Sequence, residues 1–433
     1  MSSCDGPRPV DMPVVAIDPQ SLTVLSPAQD ALWDVRDVLV ADDTIWALTA
    51  SAPHVHGFGP TGKLTARFGR VGQGPGEFRF PSAMWPGGVG GSLTVWDSGS
   101  FAALTFSTGG AWLSSSRTPV RGAIRSDIGT VTFGDPLRAV PVTGGLVVAR
   151  YDSGVNHGRD LWNGRLVHIP DDGGDPRVLL DFATDLPGAA RLPAASLMAP
   201  VPLWDGCPDG RIAVLDPVAR KLFMVDPARN EFGAFALPWH PEPLGTDARI
   251  AYMRSGARAE TARGSVSEAE ITRLATEAAA SLAELFAKEE PLGVDLKCAP
   301  DRVWIRSFEG SDPLGNGPLW RTVSLHRALP AFSRVVFPAG FIPHRITESL
   351  AFGVVADAGG LQRLATVLVP PFARQRSHHH HLPSRPQARR GPRIQEISSR
   401  EKQAHLDTNR VSRQSRTPAA RHRSVGGEGA GSS

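Results

Sequence analysis

The chain has 433 residues, 41% of them hydrophobic, which is enough to fill a sizeable core. Its 45 glycines and 38 prolines exclude an architecture of long helices and favour many short elements joined by turns. Of the 46 basic residues, 13 crowd into residues 374–433 beside 4 acids, so residues 1–373 hold 33 basic against 39 acidic side chains; that balance excludes a basic, nucleic-acid-type surface on the folded part.

The chain opens on Met1-Ser2-Ser3-Cys4-Asp5. Small residues before a cysteine have the form of the end of a lipoprotein signal, and the alternative is an ordinary start. Residues 1–13 are therefore set apart as an N-terminal segment. Val14-Val15-Ala16-Ile17 and Leu22-Thr23-Val24-Leu25 are β-prone and available to pair with a strand from the far end of the chain.

Six β-rich units follow. They centre on Asp43–Leu48, Ser92–Asp97, Gly145–Ala149, Asp209–Asp216, Asp301–Ile305 and Leu350–Val355. Aligned on Trp46, Trp96, Val148, Val214, Trp304 and Val354, they lie 50, 52, 66, 90 and 50 residues apart. Propeller blades repeat at about 40–50 residues, so the two long intervals require insertions. Several units continue into a second β-rich run, a polar turn and a third run, as in Val55–Phe58, Gly59–Gly62 and Leu64–Phe68. Such a meander cannot cover both its faces alone, whereas meanders stacked radially cover one another. The expected fold is all-β: a six-bladed β-propeller over residues 14–372, with residues 30 and 370 brought together where the ring closes.

The 90-residue interval holds one helical pattern. Ser267-Glu268-Ala269-Glu270 reads as a capping box. Apolar residues follow at Ile271, Leu274, Ala278, Leu282, Leu285 and Phe286, and Pro291 ends the pattern. A helical insertion over about residues 248–291 is expected on one face of the disc, as a cover for apolar surface or else as a lid or partner-docking helix. From residue 373 the alternation stops. The segment 373–433, rich in Arg, Ser, Pro and Gln, cannot offset its chain entropy and is expected to be disordered; a shifted reading frame would produce the same abrupt change.

Candidate site residues are sparse. Asp97 and Asp216 follow the motifs Val95-Trp96 and Val214-Leu215. Read as ends of inner strands, they would face the channel mouth, where carboxylates hold calcium or act as a base. The bland reading is turn capping of the next backbone N–H groups. His54 and His56 would share a face of a strand and are weak candidates for zinc. His168, His240, His326 and His344 are scattered, and His378–His381 lie in the tail. The three cysteines, Cys4, Cys207 and Cys298, form no C-x-x-C pair, so the compartment is not legible from them.

The most specific local signal is Phe68-Gly69-Arg70-Val71-Gly72-Gln73-Gly74-Pro75-Gly76-Glu77-Phe78-Arg79-Phe80-Pro81. Its glycines permit positive φ, Pro75 stiffens the turn, and Phe78 is placed to insert between blades. A phosphate loop would need a helix to follow, and a β-rich segment follows instead. The stretch resembles the inter-blade segment of NHL-type propellers, and the chain over residues 30–370 resembles the bacterial six-bladed propellers of NHL-like or TolB-like type. That resemblance implies a fold rather than a reaction. The expected function is a non-enzymatic binding or scaffold propeller of the bacterial cell envelope, periplasm or exterior. It would work as a monomer without a cofactor, taking an unknown protein or small ligand on a propeller face. The alternative is a metal-dependent hydrolase or lyase, lactonase-like, with calcium or zinc in the channel. No specific nucleic acid partner and no transmembrane segment are expected. Deleting residues 374–433 should leave the unfolding temperature nearly unchanged in a calorimetric scan, because the segment brings no apolar surface to the core.

Overall fold

The computed structural model describes residues 12–372 other than 89, 118–137, 152–163, 186–196, 199–201, 230, 262–265, 310–317, 326–329 and 358–359. Residues 1–11, His326 and the segment from 373 on, with His378–His381, lie outside the described residues.

The chain enters through β1 (Val14–Ala16) and β2 (Thr23–Val24). It then builds six sheets, each starting at the axis and running outward. Blade 1 is β3 (Val35–Ala41), β4 (Thr44–Thr49), β5 (Val55–Phe58) and β6 (Leu64–Phe68). A short parallel pair, β7 (Arg70–Val71) and β8 (Glu77–Phe78), frames the glycine-rich loop. Blade 2 is β9 (Pro81–Pro86), β10 (Ser92–Asp97), β11 (Ala102–Ser107) and β12 (Trp112–Arg117). Blade 3 is β13 (Ala139–Val142), β14 (Gly145–Tyr151), β15 (Gly164–Pro170) and β16 (Arg177–Asp181), followed by the single turn α1 (Phe182–Asp185). Blade 4 is β17 (Leu203–Gly206), β18 (Ile212–Asp216), β19 (Lys221–Asp226) and β20 (Glu231–Ala236). Two helices follow, α2 (Thr246–Thr261) and α3 (Glu268–Ser281). Blade 5 is β21 (Asp295–Cys298), β22 (Arg302–Arg306), β23 (Leu319–Ser324) and β24 (Phe332–Val336). Blade 6 is β25 (Phe341–Ile346), β26 (Leu350–Ala356) and β27 (Gln362–Leu368).

Blade 6 has only three strands of its own, and β2 supplies the fourth by pairing antiparallel with β27. Leu32 bridges Gln362, and the Gln362 side chain accepts from the Val35 N–H at 2.7 Å. The inner strands β3, β9, β13, β17, β21 and β25 lie successively against one another, and β25 returns to β3. The chain is thus a closed six-bladed propeller, as the repeat count implies. β1 adds a parallel strand to the outside of blade 5, beyond what the sequence suggested.

Six apolar cores fill the six gaps between blades. Trp46 and Leu48 meet Phe78, Met84 and Val95 between blades 1 and 2. Trp96 meets Val148 and Val167 between blades 2 and 3. Trp304 and Trp320 meet Phe341 and Val367 between blades 5 and 6. Side chains alternate along a strand, so β4 sends Trp46 and Leu48 one way and Ile45 and Ala47 the other, into the core shared with blade 6. The three tryptophans all face the following blade, as does Val354. Val148 and Val214 face the preceding blade, so the anchors chosen for units three and four are one residue out of register, and a slip of one residue reverses the face.

The insertion also departs from expectation. It contains two helices rather than one; over its described side chains, residues 246–254, α2 buries Ala248 and Tyr252, too few to read as an apolar stripe. Ser267 caps α3 as expected, accepting from the Glu270 N–H. The buried face of α3 is Ile271, Ala275 and Ala279, while Leu274 and Leu285 are exposed. The helix stops at Ser281, well before Pro291.

Trp96 is 1% exposed and belongs wholly to an interblade core. Replacing it with alanine should lower the unfolding free energy by about 3–5 kcal/mol, measured by denaturant titration.

Candidate functional site

The inner strands gather charge at the axis. Asp37 of β3 accepts from the Val38 N–H at 2.9 Å and, across the blade junction, from the Met84 N–H at 3.0 Å. Asp205 of β17 repeats this arrangement, accepting from Gly206 N–H and from Cys298 N–H of the next blade, both at 2.9 Å. It also pairs with Arg138 at 3.1 Å. Asp295 of β21 pairs with Lys297 at 3.2 Å. His344 sits where β25 bulges, since Pro343 and Arg345 pair with consecutive residues of β26 and leave it unpaired; a bulge re-aims the extra side chain. Burial, then Lys297 and Arg306, push the His344 imidazole down to about 4 against the opposing pull of Asp37 and Asp295. It is neutral at physiological pH.

The four residues expected from the sequence lie elsewhere. Asp97 and Asp216 end β10 and β18, the second strands of their blades, so they stand one strand out from the axis and not at the inner-strand ends. Both are fully buried. Asp97 accepts from the N–H groups of Arg79, Phe80 and Gly99 and from the Ser100 hydroxyl. Asp216 accepts from Val218 and Ala219 N–H with one oxygen, while burial pushes its carboxyl up. Asp216 thus caps the turn that follows it, and Asp97 does so through Gly99 and Ser100 while also holding the backbone before β9. His54 precedes β5, outside its alternation, and stacks edge-on against Phe78 at 5.6 Å with Nδ1 3.0 Å from the Thr49 carbonyl. His56 pairs with Ala47, whose methyl belongs to the core on the opposite face of the blade. Burial lowers both imidazoles. Among the described residues, no three His, Cys, Asp or Glu side chains form a group suited to a metal ion.

A cleft of about 470 Å³ opens instead beside the glycine-rich loop. The loop Gly72–Glu77 forms one wall, and Leu104, Trp112, Ser115 and Arg117 of blade 2 form another. The glycines permit this proximity: Gly76 has φ of 74°, and a Cβ there would lie 3.2 Å from that of Trp112. Glu77 ties the loop down, accepting from the Gly74 N–H at 2.8 Å and pairing with Arg70 at 2.7 Å. The Gly74 bond, more than Arg70, holds its carboxyl below the usual range. Arg79 and Arg117 are exposed and make no ion pair among the described residues. Sequence reasoning singled out the loop and missed the cleft, because Trp112 and Arg117 reach it only through strand pairing.

The axial histidine yields a pH dependence. The unfolded chain takes up a proton near the ordinary imidazole pKa of 6.5, and the folded chain only near 4. Stability contributed by neutral His344 is therefore present above 6.5 and lost as pH falls toward 4. Urea titrations of His344→Gln across that window should show a shallower loss of stability than the parent chain.

No family model and no curated protein matches this sequence. Solved structures resemble it at low identity. A Bacteroides fragilis protein described as a candidate exported protein is 8% identical over 82% of this chain and 99% of its own, with a TM-score of 0.47. A DUF4221 family member from Bacteroides vulgatus is 7% identical over 81% and 99%, with a TM-score of 0.45. Virginiamycin B lyase from Staphylococcus aureus is 10% identical over 80% and 98%, with a TM-score of 0.39. The six-blade assignment rests on the strand pairing of this chain itself.

Proposed function

We propose that this protein is a non-enzymatic binding propeller of the bacterial cell envelope, periplasm or exterior, and that its ligand occupies the cleft between the glycine-rich loop and blade 2. The cleft itself carries the reading. Its volume of about 470 Å³ falls within the range of small-molecule sites. Trp112, 43% exposed, offers it an aromatic surface. Arg79 and Arg117 offer exposed cations that pair with no carboxylate among the described residues. Its carboxylates are already engaged: both Asp97 oxygens and both Glu77 oxygens hold protein donors. This supports binding over acid–base chemistry, which needs a carboxylate free to exchange a proton with the ligand.

The compartment is argued from the cysteines. Cys207, just after β17, and Cys298, at the end of β21, form a disulfide that staples blade 4 to blade 5. Structural disulfides persist in oxidising compartments, which supports a location beyond the cytoplasm.

The test is a thermal-shift panel on the full chain with neutral sugars, sugar acids, amino acids and nucleotides. At least one class should raise the unfolding temperature, and the double variant Arg79→Ala with Arg117→Ala should abolish that rise. Both guanidinium groups are at the surface, so the unliganded variant should keep its stability within about 0.5 kcal/mol. Shifts that survive in the double variant would place the binding site elsewhere.

A further inference from the structure

The cleft's construction narrows its ligand. β12 pairs with β11 through Trp112 opposite Phe106, Ser114 opposite Thr105, Ser115 opposite Leu104 and Arg117 opposite Ala102. Leu113 is therefore left over as a bulge. Without it, strict alternation would put Trp112 on the face opposite Ser115 and Arg117. The bulge rotates the strand so that all three share one face. That face continues outward from Ala102, Leu104 and Phe106, which belong to the core between blades 1 and 2. An indole, a hydroxyl and a guanidinium thus emerge together beyond the edge of that core, and Arg79 adds a second cation from the start of blade 2.

The charges the cleft presents to a ligand are cationic: Asp97 is fully buried and Glu77 is paired with Arg70, whereas Arg79 and Arg117 are exposed and pair with no described carboxylate. The rest of the lining combines the Ser100 and Ser115 hydroxyls, the Gln73 amide and loop backbone with the small apolar surface of Pro75, Ala102 and Leu104, and Trp112 is its one aromatic ring among the described residues. A ligand that complements these features carries negative charge, several hydroxyls and a flat C–H face to lie on the indole. We infer that the cleft binds a carboxylate-bearing saccharide of one or two residues, with a sugar ring against Trp112 and the carboxylate between Arg79 and Arg117. This rests on the cleft being the binding site, and it adds the ligand's chemical class.

The probe is digalacturonate, titrated calorimetrically against the full chain, with its dimethyl ester, the neutral disaccharide galactobiose, glucose 6-phosphate and AMP alongside. Digalacturonate should bind, and esterification should weaken it about tenfold or more, the loss of a charge-assisted hydrogen bond. Affinity should fall with added salt, since both cations are exposed to screening. Arg117→Gln should narrow the preference for acid over ester. Trp112→Ala should weaken both by about tenfold, the scale of a lost aromatic contact. Ser115→Phe, which fills the cleft from the same face, should abolish binding if Trp112→Ala unfolds the strand. Equal binding of acid and ester, or acid binding indifferent to Arg117→Gln, would overturn the inference. If AMP or glucose 6-phosphate binds in a cleft-dependent way and digalacturonate does not, the ligand class is wrong and the cleft reading survives. If Arg79, Arg117, Trp112 and Ser115 variants leave every titration unchanged, both fail.

Discussion

Each blade of this protein is apolar on both faces, and neither face can be left to water. The constraint is most visible in the second strand of each sheet. In β18, Ile212 and Val214 enter the core shared with blade 3, and Ala213 and Leu215 enter the core shared with blade 5. In β22, Val303 and Ile305 face blade 4 while Trp304 faces blade 6. A sheet with two buried faces is stable only between two neighbours, and only a closed ring gives every sheet two. Closure therefore follows from the composition of the strands, and the short β2, with two paired residues, completes the last blade and joins the two ends of the chain.

Around the axis, polar groups link the blades. Asp37 and Asp205 each bond a backbone N–H of the following blade. At the second of these junctions the Cys207–Cys298 disulfide joins the same two blades across the chain segment that carries α2 and α3. The longest insertion thus departs from and returns to a junction that is cross-linked covalently and by hydrogen bonds. Residues that read as possible ligands in the chain, Asp97 and Asp216 above all, serve the structure instead: both close the turns after their strands, and Asp97 also holds the backbone that leads into β9.

The cleft arises where that regular packing is interrupted. Between blades 1 and 2 the connection is the glycine-rich loop; Gly76 lets its backbone approach Trp112, and Gly72 and Gly74 leave room for the Glu77 side chain. Phe78, fully buried, anchors the end of the loop in the core between the two blades. A rigid anchor beside a close-fitting backbone keeps the wall in place, and the bulge at Leu113 turns the opposite wall toward it.

The sequence by itself determined the number of blades, the ring closure by a strand from residues 14–25, the interblade tryptophans, the capped helix and the special character of residues 68–81. All of these are written in local pattern: repeated two-faced strands, a capping box, spaced glycines. It placed Val148 and Val214 one position off, because aliphatic runs buried on both faces carry no alternation to fix their register. It read one helix where two exist, because the sequence of α2 mixes Arg, Ser and Gly among its few apolar residues and spaces no large apolar groups along one face. It could not pair Cys207 with Cys298, 91 residues apart. Asp37 and Asp295 each stand nine residues before the tryptophan of their unit, a spacing that marks the axial strand in blades 1 and 5. The cleft belongs to the tertiary structure alone: Arg79, Trp112 and Arg117 meet only because strand pairing, one bulge and the stacking of two blades bring distant residues to a common face.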